Sequence, residues 1–122
     1  MSAAGMGGGR LTTHVLDTAA GRPAAGMALD LFRLEGTARQ PLGTFRTNAD
    51  GRCDGPLLAG AALVAGAYEI VFAVGAWRAA QGAAGVGFYD EVPIRFRVAD
   101  AALHYHVPLI LAPFGYATYR GS

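Results

Sequence analysis

This chain has few of the residues and motifs that usually announce chemistry. It holds one cysteine, Cys53, in 122 residues. No internal disulfide can form, and a lone thiol fits a reducing compartment, where its plainest role is that of a small buried hydrophobe. Charge is sparse and balanced, with Lys plus Arg at 10, Asp plus Glu at 9 and a net of +1. No basic field exists to draw the protein to nucleic acid or to an anionic membrane. There is no Gly-x-Ser-x-Gly elbow, phosphate loop or dinucleotide fingerprint, so a serine nucleophile is poorly supported. Residues 1–10 carry no basic start and no apolar block of signal-peptide length, and read as a disordered lead-in. With no export signal and no Ser-Lys-Leu type address, the cytoplasm is the expected location. One long apolar stretch, Gly55 to Trp77, has Glu69 as its only acidic or basic residue. Its glycines, the turn-like Gly55-Pro56 and mid-segment Glu69 argue against a membrane span.

What is present is alternation. Residues 11–122 read as one domain with a single modest core, at a size where association adds stability. Leu11 to Leu16 alternates by twos: Leu11, Thr13 and Val15 point one way, and Thr12, His14 and Leu16 the other. After a turn-rich connection from Asp17 to Gly26, strands are expected over Ala28 to Leu34 and Leu42 to Thr47. Asn48-Ala49-Asp50-Gly51 then reads as a tight hairpin turn, with Arg52 at its exit. Tyr68 to Val74 is apolar on both faces apart from Glu69 and suits a central strand. Gly75 to Gln81 is the one plausible helix, ending where Gly82 can cap it, and Gly82 to Gly87 is a loose connection. Val92 to Val98 puts Val92, Ile94, Phe96 and Val98 inward, with Pro93 tolerated near the strand start. His104 to Leu111 puts Tyr105, Val107, Leu109 and Leu111 on a core face and His104, His106, Pro108 and Ile110 outside. Ala112 to Gly115 turns the chain, and Tyr116 to Tyr119 returns as a strand. The pattern is an all-β, two-sheet antiparallel sandwich without internal repeat or linker.

Five features carry chemical potential: His14, Arg52, the His104-x-His106 pair, Tyr119 and Ser122. His14 and His106 both lie on the outward parity of their strands and could reach one site. A strand histidine becomes a candidate acid or base only with partners. Spacing of i and i+2 also suits a metal, and His14 could complete a three-histidine zinc site. No carboxylate or cysteine at supporting spacing strengthens that reading, so no metal is expected. Arg52, directly after a turn, is either a solvated loop residue or a permanent cation that polarises a carbonyl or holds an acidic heterocycle. Alone, Tyr119 would be packing and Ser122 a frayed end.

These residues fall in a set of motifs. Leu11-Thr12-Thr13-His14-Val15-Leu16-Asp17 is followed by Gly21 and Pro23. Thr47-Asn48-Ala49-Asp50-Gly51-Arg52 forms the turn, and Phe88 to Ile94 enters a late strand. His104 to Leu109 reads HYHVPL, and Pro113 to Ser122 ends in Tyr119-Arg120-Gly121-Ser122. From Leu11 to Ser122 the chain resembles the transthyretin-related 5-hydroxyisourate hydrolase family. Departures are small: Tyr89-Asp90 where Phe-Pro is more usual, and Ala112 and Ala117 where serine is common.

The resemblance implies a transthyretin-like (prealbumin-like) sandwich of two four-stranded sheets with one short helix. It implies a homotetramer, a dimer of dimers, with active sites at the dimer–dimer interface. The implied activity is hydrolytic ring opening of 5-hydroxyisourate in urate breakdown, without metal or organic cofactor. His14, Arg52, His106 and Ser122 would carry the reaction, and His14, Arg52, Tyr119, Arg120 and Gly121 would hold the substrate. His106 or His14 would take a proton from water, with His104 structural or supporting. The rival expectation is a transthyretin-like carrier that binds an aromatic small molecule in the inter-subunit channel; fold alone does not separate the two.

Overall fold

A computed structural model of the chain describes residues 8–82 and 87–121. Two sheets face each other across one core. The first holds β3 (Ala28–Glu35), β4 (Ala38–Arg46), β6 (Gly66–Phe72) and β7 (Val92–Val98), antiparallel in the order β4-β3-β6-β7. The second is built on β1 (Arg10–Asp17), β8 (His104–Ala112) and β9 (Gly115–Thr118), with two-residue strands β2 (Arg22–Pro23) and β5 (Leu58–Ala59) beside β1. It therefore has five strands where four were expected, and β2 and β5 are too short to show any period. The helix α1 (Val74–Ala80) follows β6, and Gly82, at φ 75°, closes its end as expected.

Alternation places the core as the sequence indicates. Leu11 and Val15 of β1, Tyr105, Leu109 and Leu111 of β8, Leu29 and Leu31 of β3, and Ile70 and Phe72 of β6 are all buried. Each such aliphatic or aromatic side chain contributes roughly 1.5–3 kcal/mol of burial free energy. The strand expected over 42–47 starts earlier, at Ala38. Its first four residues, Ala38 to Pro41, are exposed on a sheet edge, and a β-bulge follows at Leu42, which is skipped as Leu31 pairs with Gly43 and Phe32 with Pro41. Edge strands tolerate polar residues and proline, so the periodic signal is absent there. Of the expected lead-in, residues 1–7 lie outside the described residues, as do 83–86 of the Gly82 to Gly87 connection. Arg10 is already in β1.

Two observations correct the local picture. β1 and β8 run parallel, from Arg10↔His104 to Asp17↔Leu111, so the sandwich is antiparallel except at this pair. Parallel neighbours need a long crossover, which the intervening sheet provides. The turn at Asn48 to Gly51 is not a hairpin within one sheet. It carries the chain from β4 across to β1, where Val15 N–H donates to the Gly51 carbonyl (2.8 Å) and Arg52 bridges His14.

Candidate active site

The site is assembled along β1. One edge of this strand is taken up by β8. Three segments share the other edge: β5 against Arg10 and Leu11, Arg52 against His14, and β2 against Leu16 and Asp17. Arg52 thus fills the gap between two very short strands. Its turn is stiffened from within, because the Asn48 side-chain oxygen accepts from the Asp50 and Arg52 N–H groups at 2.9 and 3.2 Å. Gly51 has no substitute here. Its φ is +75°, and a Cβ would strike the Val15 carbonyl.

His14 and His106 stand half-buried on the same outer face, ring centroids 6.4 Å apart and tilted by 40°. A recess of about 410 Å³ opens beside His106, lined by Arg10, Thr12, Arg52, Cys53, His104 and His106 but not by His14. Burial first, then the Arg52 guanidinium, holds His14 below the ordinary imidazole value of 6.5; the Asp50 carbonyl and carboxylate pull the other way without reversing it. His106 is lowered by burial, then by Arg52, His14 and His104. Both rings are therefore neutral near pH 7 and have a lone pair to offer. Burial and Asp54 push the Cys53 thiol up, so it stays protonated and is no nucleophile.

The tail continues the register of β9 along β8. Leu109 pairs with Thr118, and His106 bridges Gly121. Between them Tyr119 passes Pro108, which has no N–H to lend the ladder. The Gly121 N–H donates to the His106 carbonyl at 2.7 Å. A Cβ at Gly121 would lie 2.6 Å from His106 Cδ2, so the glycine is needed for close approach of the imidazole.

His14, Arg52, His106 and Gly121 are thus brought together. Tyr119, 59% exposed, is not among the residues lining the recess. Arg120, expected at the substrate, is turned away from the imidazoles: its guanidinium lies 4.4 Å over the Tyr105 ring and donates to the His104 carbonyl at 3.1 Å. Ser122 lies outside the described residues. Arg10 and Thr12 belong to the recess and were not anticipated, although they share the parity of His14 on β1. Thr12 Oγ1 lies 2.8 Å from His106 Nδ1.

A two-sheet sandwich with its polar site on the outer face of β1 and β8 defines a transthyretin-like class of protein. Residues 11–121 match the model of the HIUase/Transthyretin family. A 5-hydroxyisourate hydrolase of Mesorhizobium japonicum is 61% identical over 117 residues, 94% of each chain. The crystal structure of (S)-allantoin synthase superposes with a TM-score of 0.86 at 43% identity, over 93% of this chain and 44% of that one. The 5-hydroxyisourate hydrolase of Klebsiella pneumoniae gives 0.79 at 38% identity, over 93% of this chain and 99% of that one. The chain belongs to the HIUase/Transthyretin family.

Proposed function

We propose that the protein hydrolyses 5-hydroxyisourate, opening the six-membered ring to give 2-oxo-4-hydroxy-4-carboxy-5-ureidoimidazoline. One observation carries the chemistry: two imidazoles held neutral share one face with the Arg52 guanidinium that depresses them both, and no described carboxylate is ion-paired to it. His106 is the general base. Its Nδ1 is engaged by Thr12, which leaves Nε2 for the attacking water. Arg52 orients the substrate and stabilises the oxyanion that forms as water adds to the ring carbonyl. His14, paired with Arg52, holds the substrate or the water. Tyr119 supports the purine-like ring, and Ser122 orients the water or a histidine.

The relatives named as hydrolases support this reading over a carrier, and a hydrophobic channel would have no use for the arginine and two imidazoles. We further propose a homotetramer in which a second subunit covers the β1–β8 face. The half-buried, apolar Leu16 and Ile110, paired across β1 and β8 beside the imidazoles, suit such a covering surface. No helix of the described residues is long and apolar enough to cross a membrane, and we assign the enzyme to the cytoplasm.

The test is the ultraviolet decay of freshly made 5-hydroxyisourate with the full chain and with a chain ending at Thr118. Acceleration above the spontaneous rate is expected from the full chain, with a loss of about a hundredfold or more on truncation. No acceleration by the folded full chain overturns the reading.

A further inference from the structure

The parallel pairing of β1 with β8 sets Thr12 opposite His106 and Arg10 opposite His104. The single hydroxyl of Thr12 lies 2.8 Å from His106 Nδ1 and 3.1 Å from His104 Nε2. A hydroxyl has one proton to give and lone pairs to accept with. The single hydroxyl proton can reach only one ring, so at least one imidazole nitrogen donates to Oγ1; the arrangement that also uses that proton between the rings has one nitrogen donating and the other accepting. In that arrangement the two rings are held in complementary states. In one state His106 Nδ1–H donates to Thr12, Thr12 donates to His104 Nε2, and His106 Nε2 bears its lone pair. In the other every donor is reversed, and His106 Nε2 carries a proton.

We propose that Thr12 and His104 form a proton relay that presents His106 as a base and carries the positive charge away from Arg52 while the reaction proceeds. The proposal rests on the hydrolase reading and deepens it. In the resting state His106 Nε2 is free. As the water O–H bond breaks and its oxygen bonds to the ring carbonyl carbon, its proton goes to His106 Nε2. The Nδ1 proton then passes to Thr12 Oγ1, and the Thr12 proton to His104 Nε2. The net charge now sits on His104, which is exposed to solvent, while His106 is neutral. When the ring C–N bond breaks, His106 Nε2–H protonates the departing nitrogen, and the relay runs back and restores Nδ1–H. No proton is gained or lost over the cycle.

Geometry and electrostatics give this arrangement its purpose. An imidazolium at His106 would be half-buried and faced by Arg52 and His14; at the far end of the relay Arg10 pairs in register with the exposed His104, and the Arg120 guanidinium donates to the His104 carbonyl. His104 lies one strand pleat further along, with solvent at its other face. Thr12 and His104 act through His106 and are positioning residues.

The decisive measurement is the nitrogen-15 spectrum of the histidine side chains in the labelled, substrate-free protein. The wild type is expected to show His106 protonated at Nδ1 and bare at Nε2. Thr12→Val, which removes the hydroxyl at nearly constant size, is expected to release that preference, and Thr12→Ser to keep it. In turnover, Thr12→Val and His104→Asn should each lower kcat about tenfold with little change in KM, and Thr12→Ser should restore it. The double variant should be no slower than either single one, because the residues act as a unit. A wild-type His106 protonated at Nε2 overturns the relay, as do single-variant losses that multiply. The spectrum needs no substrate, so it tests the relay even if 5-hydroxyisourate proves not to be hydrolysed.

Discussion

The outer faces of the two sheets handle charge in opposite ways. On the four-stranded sheet Glu69 of β6 is buried, its side chain 3% exposed, and both its oxygens are taken: Arg39 Nη1 and Arg95 Nε each approach to 2.8 Å. Burial pushes its carboxyl up, and the two arginines more than offset this, so it remains ionised. On the β1–β8 face Arg52 lies near both imidazoles and, among the described residues, forms no ion pair. A saturated cluster has nothing left to offer a ligand. An arginine without a counter-charge keeps its donors for an anion that forms only during reaction. The same residue type is thus structural on one sheet and, in the proposed reaction, chemical on the other, and the partner decides which.

The contrast can be broken from either side. The largest effect is expected from His106→Asn, a loss of about a hundredfold to ten-thousandfold in kcat with thermal stability nearly unchanged. Full activity in that variant removes His106 from its role. On the other sheet, Arg39→Ala combined with Arg95→Ala leaves a buried carboxylate alone, and about 3 kcal/mol of stability should disappear in urea titrations. Hydrolysis by the molecules still folded should stay at the wild-type rate. Gly121→Ala should come next, lowering the rate about tenfold by displacing the His106 ring, with little change in melting temperature.

Acid titration sharpens the comparison. His14 and His106 are depressed when folded, so the unfolded chain binds more protons just below pH 6.5, and stability falls as pH drops through that window toward their lowered values. Glu69 is also depressed, and its contribution is lost only further down, below the ordinary carboxyl value of 4.5. Replacing Arg52 with methionine should move the acid limb of the residual activity upward, toward 6.5, because a depressing charge is gone. An unmoved limb would mean that Arg52 does not face the base.

Much of this was legible in the sequence because period-two alternation is a local signal. The parity of His14, His104 and His106 and the positive-φ glycine before Arg52 could be read residue by residue. The same parity separates Tyr119 from Arg120, which is why Arg120 lies over Tyr105, although treating the tail as one unit hides that. The contribution of Thr12 was not legible. It depends on β1 lying parallel to β8 in one register, and pairing between distant strands leaves no turn residue to mark it. The partners of Glu69 were hidden for the same reason, since Arg39 comes from an edge strand with no period of its own.

That parallel pair also has a kinetic meaning. Thr12 and His106 are 94 residues apart, and the strands of the other sheet all lie between them. Contacts of such long range close late, after the loops they span have lost their freedom. β3 and β4 can pair through their short turn, Glu35 opposite Ala38, well before β1 finds β8. Recovery of hydrolysis during refolding should therefore lag behind the burial of that first sheet, which makes catalysis a clock for the last closure of the fold.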